Sequence, residues 1–349
     1  METAATATDA LSSSSESAPP ADAPRRARAG KELIDASRPY AEESRARSWA
    51  HVAETVGVLA FTLACAAALP WWYARVAAAL VAGLVVVRGF ILFHDYQHGA
   101  ILRGSKAAKW LFELYGYYVL TPSSVWKQTH NYHHAHTAQL VGSHIGSYMM
   151  LTVDMYQRAT PAQRRMYRIT RHPLTMALGF FTIFAWGMCV SPYLRDKRKH
   201  KMGPWVLLMH AVAFGLITRF AGLEAALTVH FLPLAVAFAA GSYLFYAQHN
   251  FPGMHVEPRE TWSYTRAALE SSSYMELSPL MAWFTGNIGY HHVHHLNASI
   301  PFYRLPEAME AIPELRDPIK TSLRPRDVLA CFRLKLWDPS RNQMVAYPD

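Results

Sequence analysis

Eight histidines on a recurring spacing, with His292 beside them, stand in three tight clusters, His94-Asp-Tyr-Gln-His98, His130-Asn-Tyr-His133-His134 and His291-His-Val-His294-His295. Their spacings read HxxxH, HxxHH and HxxHH. Imidazole is a strong ligand for iron, copper, zinc and nickel. Residues three and four apart share one face of a helix, so each cluster can aim two or three nitrogens at one point. Eight are too many for a single ion of roughly four to six ligands, and about right for two. The chain has 18 histidines in all, and isolated ones such as His51, His172 and His200 need no chemical role. Histidine-rich scavenging of metal is the plainer reading of a rich composition, but it requires no ordered spacing.

The elements that position these clusters are apolar. Hydrophobic residues make up 51% of the 349, gathered in blocks rather than spread evenly. Residues 52–69 form the first block, interrupted near its start by Glu54 and Thr55; as a helix it is about 27 Å long, close to the bilayer hydrocarbon core. Pro70 breaks it, and Trp71-Trp72-Tyr73 reads as an aromatic belt at the far interface. A second block returns to Phe93, so the first cluster emerges where the chain comes back to its starting side. Residues 106–121 carry charges and aromatics and read as an interfacial or re-entrant helix, followed at once by the second cluster. Residues 173–194 are apolar, but arginines precede them and the basic run 195–201 follows, which predicts an in-plane helix instead of a crossing. Crossings at 205–220 and 223–245 then bring Gln248-His249 back to the side of the clusters. Residues 251–280 read as a polar loop, with a short apolar piece from 280 leading to the third cluster and an amphipathic cap from Pro301 onward. Residues 1–48, rich in Ala, Ser, Pro and charge, are expected to be a disordered cytoplasmic tail, leaving 49–349 as one membrane domain with its cap.

The net charge of +9 lies in tails and loops beside apolar blocks. That is the pattern of the positive-inside rule and of anionic headgroups, and no nucleic-acid module accompanies it. The three cysteines, Cys65, Cys189 and Cys331, form neither a ligand motif nor a disulfide framework. An all-histidine site at a membrane face suits a non-haem metal that activates O2, with open positions left by neutral imidazoles. The bilayer supplies long alkyl chains, and packed helices keep water away from the oxidant. A zinc hydrolase would need a general base and fewer ligands, and no HExxH is present.

The three clusters resemble the histidine boxes of the integral-membrane di-iron desaturase and hydroxylase superfamily. Asn287-Ile-Gly-Tyr-His-His-Val-His-His-Leu296, with Ile300-Pro-Phe-Tyr-Arg-Leu305, is similar to the last box of acyl-lipid fatty-acid desaturases. The resemblance covers roughly 50–320. It implies an all-α, multi-pass membrane protein with four transmembrane helices and a cytoplasmic helical cap that holds a di-iron site. It implies iron ligands at His94, His98, His130, His133, His134, His291, His294 and His295, with His249 as a ninth, and no catalytic residue beyond them. Asp95 reads as a carboxylate that orients an imidazole from behind; Asn287 and Tyr290 read as residues that position the third cluster, Asn287 alternatively as a helix cap. His136 and His292 fall off the ligand spacing, and His210 reads as interhelical packing. Many relatives have a small residue or cysteine where this first box has Asp95-Tyr96-Gln97.

The activity implied is O2-dependent introduction of a double bond into a lipid acyl chain by two iron ions. Two electrons come from a separate ferredoxin or cytochrome b5 type donor, since no HPGG-type haem segment is fused to the chain. The rival within the superfamily is a carotenoid ketolase or hydroxylase, or an alkane hydroxylase; the rival outside it is a non-enzymatic metal carrier. The expected location is a bacterial inner membrane with the site on the cytoplasmic face.

Overall fold

A computed structural model describes residues 28–348 apart from His144. In chain order, α1 (Lys31–Ser37) leads into α2 (Arg45–Ala68) and α3 (Trp72–His98), then α4 (Lys106–Tyr118) and α5 (Ser123–His136). Short helices follow: α6 (Val153–Arg158), α7 (Pro161–Thr170), α8 (Pro173–Ala177), a π-helical run Phe180–Val190 and α9 (Ser191–Arg195). Next come α10 (Met202–Ala221) and α11 (Leu223–Gln248). The remainder contains α12 (Tyr264–Glu270), α13 (Pro279–Phe284), α14 (His291–Leu296), α15 (Leu305–Ala311) and α16 (Pro325–Arg333). The few strands form two small ladders, a parallel pair Tyr274–Glu276 with Lys320–Ser322 and an antiparallel pair Leu336–Asp338 with Gln343–Val345.

Among the described residues four helices, α2, α3, α10 and α11, are long and apolar enough to cross a membrane. They coincide with the four apolar blocks but run past them. α3 has 27 residues, about 40 Å of helix against a hydrocarbon core of about 30 Å, and the excess carries His94 and His98. Hydropathy marks only the lipid-immersed part of a helix; the polar turns that continue it are invisible to that signal. The 173–194 stretch is not one of the four, being divided among α8, the π-helical run and α9. The polar loop expected over 251–280 contains α12 and the first strand.

The expected tail, 1–48, lies outside the described residues as far as residue 27, and the remainder departs from the expectation. Residues 31–37 are helical and Arg45 already begins α2. Leu33 is fully buried in the cluster containing Leu305, Ile312 and Leu315. Arg28 donates to both Glu314 carboxylate oxygens through Nε and Nη2, at 2.9 and 2.7 Å, and this pairing pulls the Glu314 carboxyl down to about 2. With Asn297 donating to Ser37 Oγ at 2.9 Å and Arg304 to the Pro39 and Glu42 carbonyls, these contacts dock a segment whose composition alone reads as disordered.

Arg88, 2% exposed, ties three elements at the end of the bundle nearest the histidines. Its guanidinium donates to Thr55 Oγ1 and Glu54 Oε2 of α2, at 3.1 and 3.0 Å, and to the Trp283 carbonyl of α13. The Trp283 ring lies 4.3 Å from it, and its Nε1–H donates to Glu54 Oε1. A buried cation is tolerated because its donors are satisfied.

At the other helix contact, α3 and α11 approach so closely that Gly83 has no room for a side chain. A Cβ there would stand 2.6 Å from Val236 Cβ and 2.9 Å from the Pro233 carbonyl. Small residues at such crossings allow close packing in lipid. Gly83→Ala is expected to cost about 1–3 kcal/mol, read as a lower detergent-solubilised unfolding temperature. Gly57→Ala, at a helical position with nothing within 4 Å, should leave it unchanged or raised.

Candidate metal centre

Each histidine cluster is presented by a different local device. α3 carries His94 and His98 on its last turn, and Gly99 ends the helix in the left-handed region (φ 74°), where glycine is the least costly residue. α5 offers His130, His133 and His134 from one buried face. α14 is only six residues long and places His291, His294 and His295 inward. His249 follows the last turn of α11.

Among the described residues these nine imidazoles come together in two adjoining groups. His94, His98, His130, His134 and His294 form one; His133, His249, His291 and His295 form the other, with ligand atoms within 4.8 Å of one another inside each group. Within the first, Nε2 of His130 lies 3.0 Å from that of His94 and 3.1 Å from that of His134, which lies 3.1 Å from that of His294. Within the second, Nε2 of His249 lies 3.0 Å from that of His133 and 2.8 Å from that of His291, itself 3.1 Å from that of His295. The groups adjoin where the rings of His134 and His295 stack at 4.2 Å.

These contacts cannot all be hydrogen bonds, because one imidazole nitrogen has a single in-plane lone pair or proton. His130, His134, His249 and His291 each face two other Nε2 atoms. The Nε2 of His98 is buried with no hydrogen-bond partner. A nitrogen separation of about 3 Å is instead the edge of a coordination polyhedron with metal–imidazole distances of about 2.1 Å. The donor set therefore fits two metal ions.

The backs of several rings are held. Asp95, 1% exposed, accepts from His94 Nδ1 at 3.0 Å on one oxygen and from the Phe302 backbone N–H at 2.7 Å on the other. His249 Nδ1 donates to the Ser271 carbonyl at 3.0 Å, which directs its Nε2 lone pair inward. Thr137 Oγ1 stands 3.4 Å from His295 Nδ1. Burial, with neighbouring imidazoles adding to it, holds His130, His133, His134, His291, His294 and His295 well below the ordinary histidine value. His249 is pushed down to about 4 by burial. All are thus neutral, the form that binds metal.

Asn287 is not a helix cap. It sits at φ +55° in the turn before α14 and donates through Nδ2 to the Phe302 carbonyl at 3.2 Å; asparagine tolerates that left-handed conformation. Tyr290 is the residue that caps α14, its carbonyl accepting from Val293 and His294. His292 turns away, donating to the Leu315 carbonyl at 3.1 Å, and His136 lies flat on Tyr132 with ring centroids 3.9 Å apart. His210 bonds His230 of α11 and the Tyr117 carbonyl, an interhelical contact. Two participants escape the sequence reading. Trp126 stacks on His130 at 4.2 Å, a partner that i,i+4 spacing on α5 would have suggested. Ser271 acts through its carbonyl, for which no sequence signal exists.

A cavity of about 1250 Å³ runs from His94, His130 and His291 between the helices, past Val86, Phe90, Ile91, Phe184 and Phe238. Its walls are mainly apolar, with Asp154, Arg158, Gln163 and Arg195 also in the lining.

The fatty acid desaturase family profile matches residues 69–326. The chain is 32% identical to a "Fatty acid desaturase" of Bacillus subtilis (strain 168) over 77% of this chain and 76% of that one. It is 24% identical to the "sn-1 oleoyl-lipid 12-desaturase" of Synechocystis sp. (strain ATCC 27184 / PCC 6803 / Kazusa) over 78% of each. A second protein of that organism, "sn-1 acyl-lipid omega-3 desaturase (ferredoxin)", is 23% identical over 78% of this chain and 76% of its own length. With its four membrane-length helices, paired imidazole groups and this extent of match, the chain belongs to the fatty acid desaturase family.

Proposed function

We propose that this protein is a membrane fatty-acyl desaturase in which His94, His98, His130, His134 and His294 hold one iron, and His133, His249, His291 and His295 hold a second. The observation that carries this reading is the opening of both imidazole groups onto one long apolar cavity. Two irons, when bound, supply the O2-dependent oxidation that takes one hydrogen from each of two adjacent methylenes, with two further electrons from outside.

The chain's own residues do the rest. Phe90, Ile91, Phe184 and Phe238 hold an alkyl chain extended and exclude water from the reacting carbons. His94, His130 and His291 line the same cavity, so the chain passes directly beneath the imidazoles. Asp95 keeps the His94 tautomer with Nε2 free for metal, and Asn287 ties the turn before α14 to the segment that engages Asp95. The substrate class is a lipid-borne acyl chain, as in the names of two relatives, and the donor is a separate ferredoxin or cytochrome b5 type protein. The cationic runs at 158–171 and 195–201 favour a cytoplasmic site and cap, in a bacterial inner membrane.

Fatty acids from aerated cells expressing the chain are expected to include a species two mass units lighter than its precursor, absent with His133→Ala. A product sixteen units heavier would move the assignment to a hydroxylase, and unchanged activity in His133→Ala would contradict the ligand assignment. Asp95→Asn should weaken iron retention about 10–100-fold, measured as iron left after dialysis against a graded chelator series. Full retention would show that the Asp95 carboxylate does not support His94.

A further inference from the structure

Electrons must reach the buried imidazole groups from a second protein, and one face of the molecule is built to receive it. α5 carries His130, His133 and His134 inward while Ser124, Lys127, Gln128 and Asn131 on its outer side are exposed. No large apolar side chain lies among these four, so this side of α5 is suited to water rather than lipid. The loop between α9 and α10 is folded against it, with Lys199 Nζ donating to Gln128 Oε1 at 2.6 Å.

That contact gathers charge. Lys127, Arg195, Lys197, Arg198, Lys199 and Lys201 are all exposed, against one carboxylate, Asp196. The Asp196 Oδ1 is turned to the backbone N–H groups of Arg198 and Lys199, and among the described residues none of the six cations forms an ion pair. Such a field raises encounter rates with an oppositely charged protein and fixes its orientation. The same helix thus carries exposed polar residues on one side and the imidazoles on the other, and is about 10–12 Å across with its side chains. Electron tunnelling falls steeply with distance, so a carrier docked on α5 would stand close to the site.

We propose that the outer face of α5 and the 195–201 loop form the docking surface for an acidic one-electron carrier protein. This rests on the desaturase reading, and the partner is defined by its charge and by single-electron chemistry. Two such carriers, or one acting twice, deliver two electrons, which with two protons from solvent and the two hydrogens removed from the acyl chain reduce O2 to two waters.

The test uses the full chain in neutral phosphatidylcholine nanodiscs, where lipid charge contributes nothing. An acidic [2Fe–2S] ferredoxin is the probe, and binding is measured by calorimetry at several salt concentrations. The Lys127→Glu/Lys197→Glu/Lys199→Glu variant should bind at least about tenfold more weakly and lose the salt dependence. The corresponding Lys→Arg variant should bind as the parent does. Double-bond formation in a single turnover by chemically reduced protein, which needs no docking, should be unchanged in both.

Unchanged ferredoxin affinity in the Glu variant would overturn the proposal. So would a loss of chemically driven turnover in the Glu variant, which would assign these lysines to the fold. A defect confined to nanodiscs of anionic lipid would overturn it too, making the patch a headgroup-binding surface. Absence of any double bond from the chemically reduced parent would instead overturn the desaturase reading and leave the binding result to stand.

Discussion

Nine uncharged imidazoles whose nitrogen lone pairs converge within a few ångströms are the constraint on which this molecule turns. Without a cation between them those lone pairs repel, and each buried nitrogen has given up water for nothing. The arrangement persists only because the surrounding helices hold the rings from behind and because metal binding, when it occurs, repays the arrangement. The helix α3 overruns the hydrocarbon thickness to bring two of them forward; α5 supplies three from one face. The six-residue α14, too short to be stable by itself, is pinned by Tyr290, Asn287 and the packing of Leu296 and Val293 into the core.

The same constraint explains the pairing of polar and apolar parts. Arg88 locks α2, α3 and α13 together just below the first histidine pair. Phe302 then links this region to the site, since its N–H meets Asp95, its carbonyl accepts from Asn287 and its ring lies 5.7 Å from the Arg88 guanidinium. The cavity begins at the imidazoles and runs back between the membrane helices, so the groups that need ordered hydrogen bonds and the substrate that needs an apolar slot share a wall without competing for it. Polar residues orient the rings from behind, and the front is left to hydrocarbon.

Much of this was legible in the sequence, for identifiable reasons. Ligand spacing of three and four residues is a helical property, so the clusters announced both their chemistry and their local structure. Apolar blocks of bilayer length located the four long helices, though not their ends, since α2 begins seven residues before the block at 52. His249 was reached only through the family resemblance, by its position between the fourth crossing and the last box. Contacts between distant segments were not recoverable: Leu33 in the core, Arg28 on Glu314, the Ser271 carbonyl behind His249. Nor was the turn at Asn287, whose positive φ reflects tertiary demand rather than propensity.

The most direct test of the two-ion account is the metal content of the purified chain, by elemental analysis with Mössbauer spectroscopy, beside His294→Ala and His295→Ala. Two irons per chain, with each variant losing chiefly the iron of its own group, is the result predicted. A single ion per chain, zinc in place of iron, or loss from the same site in both variants would contradict it.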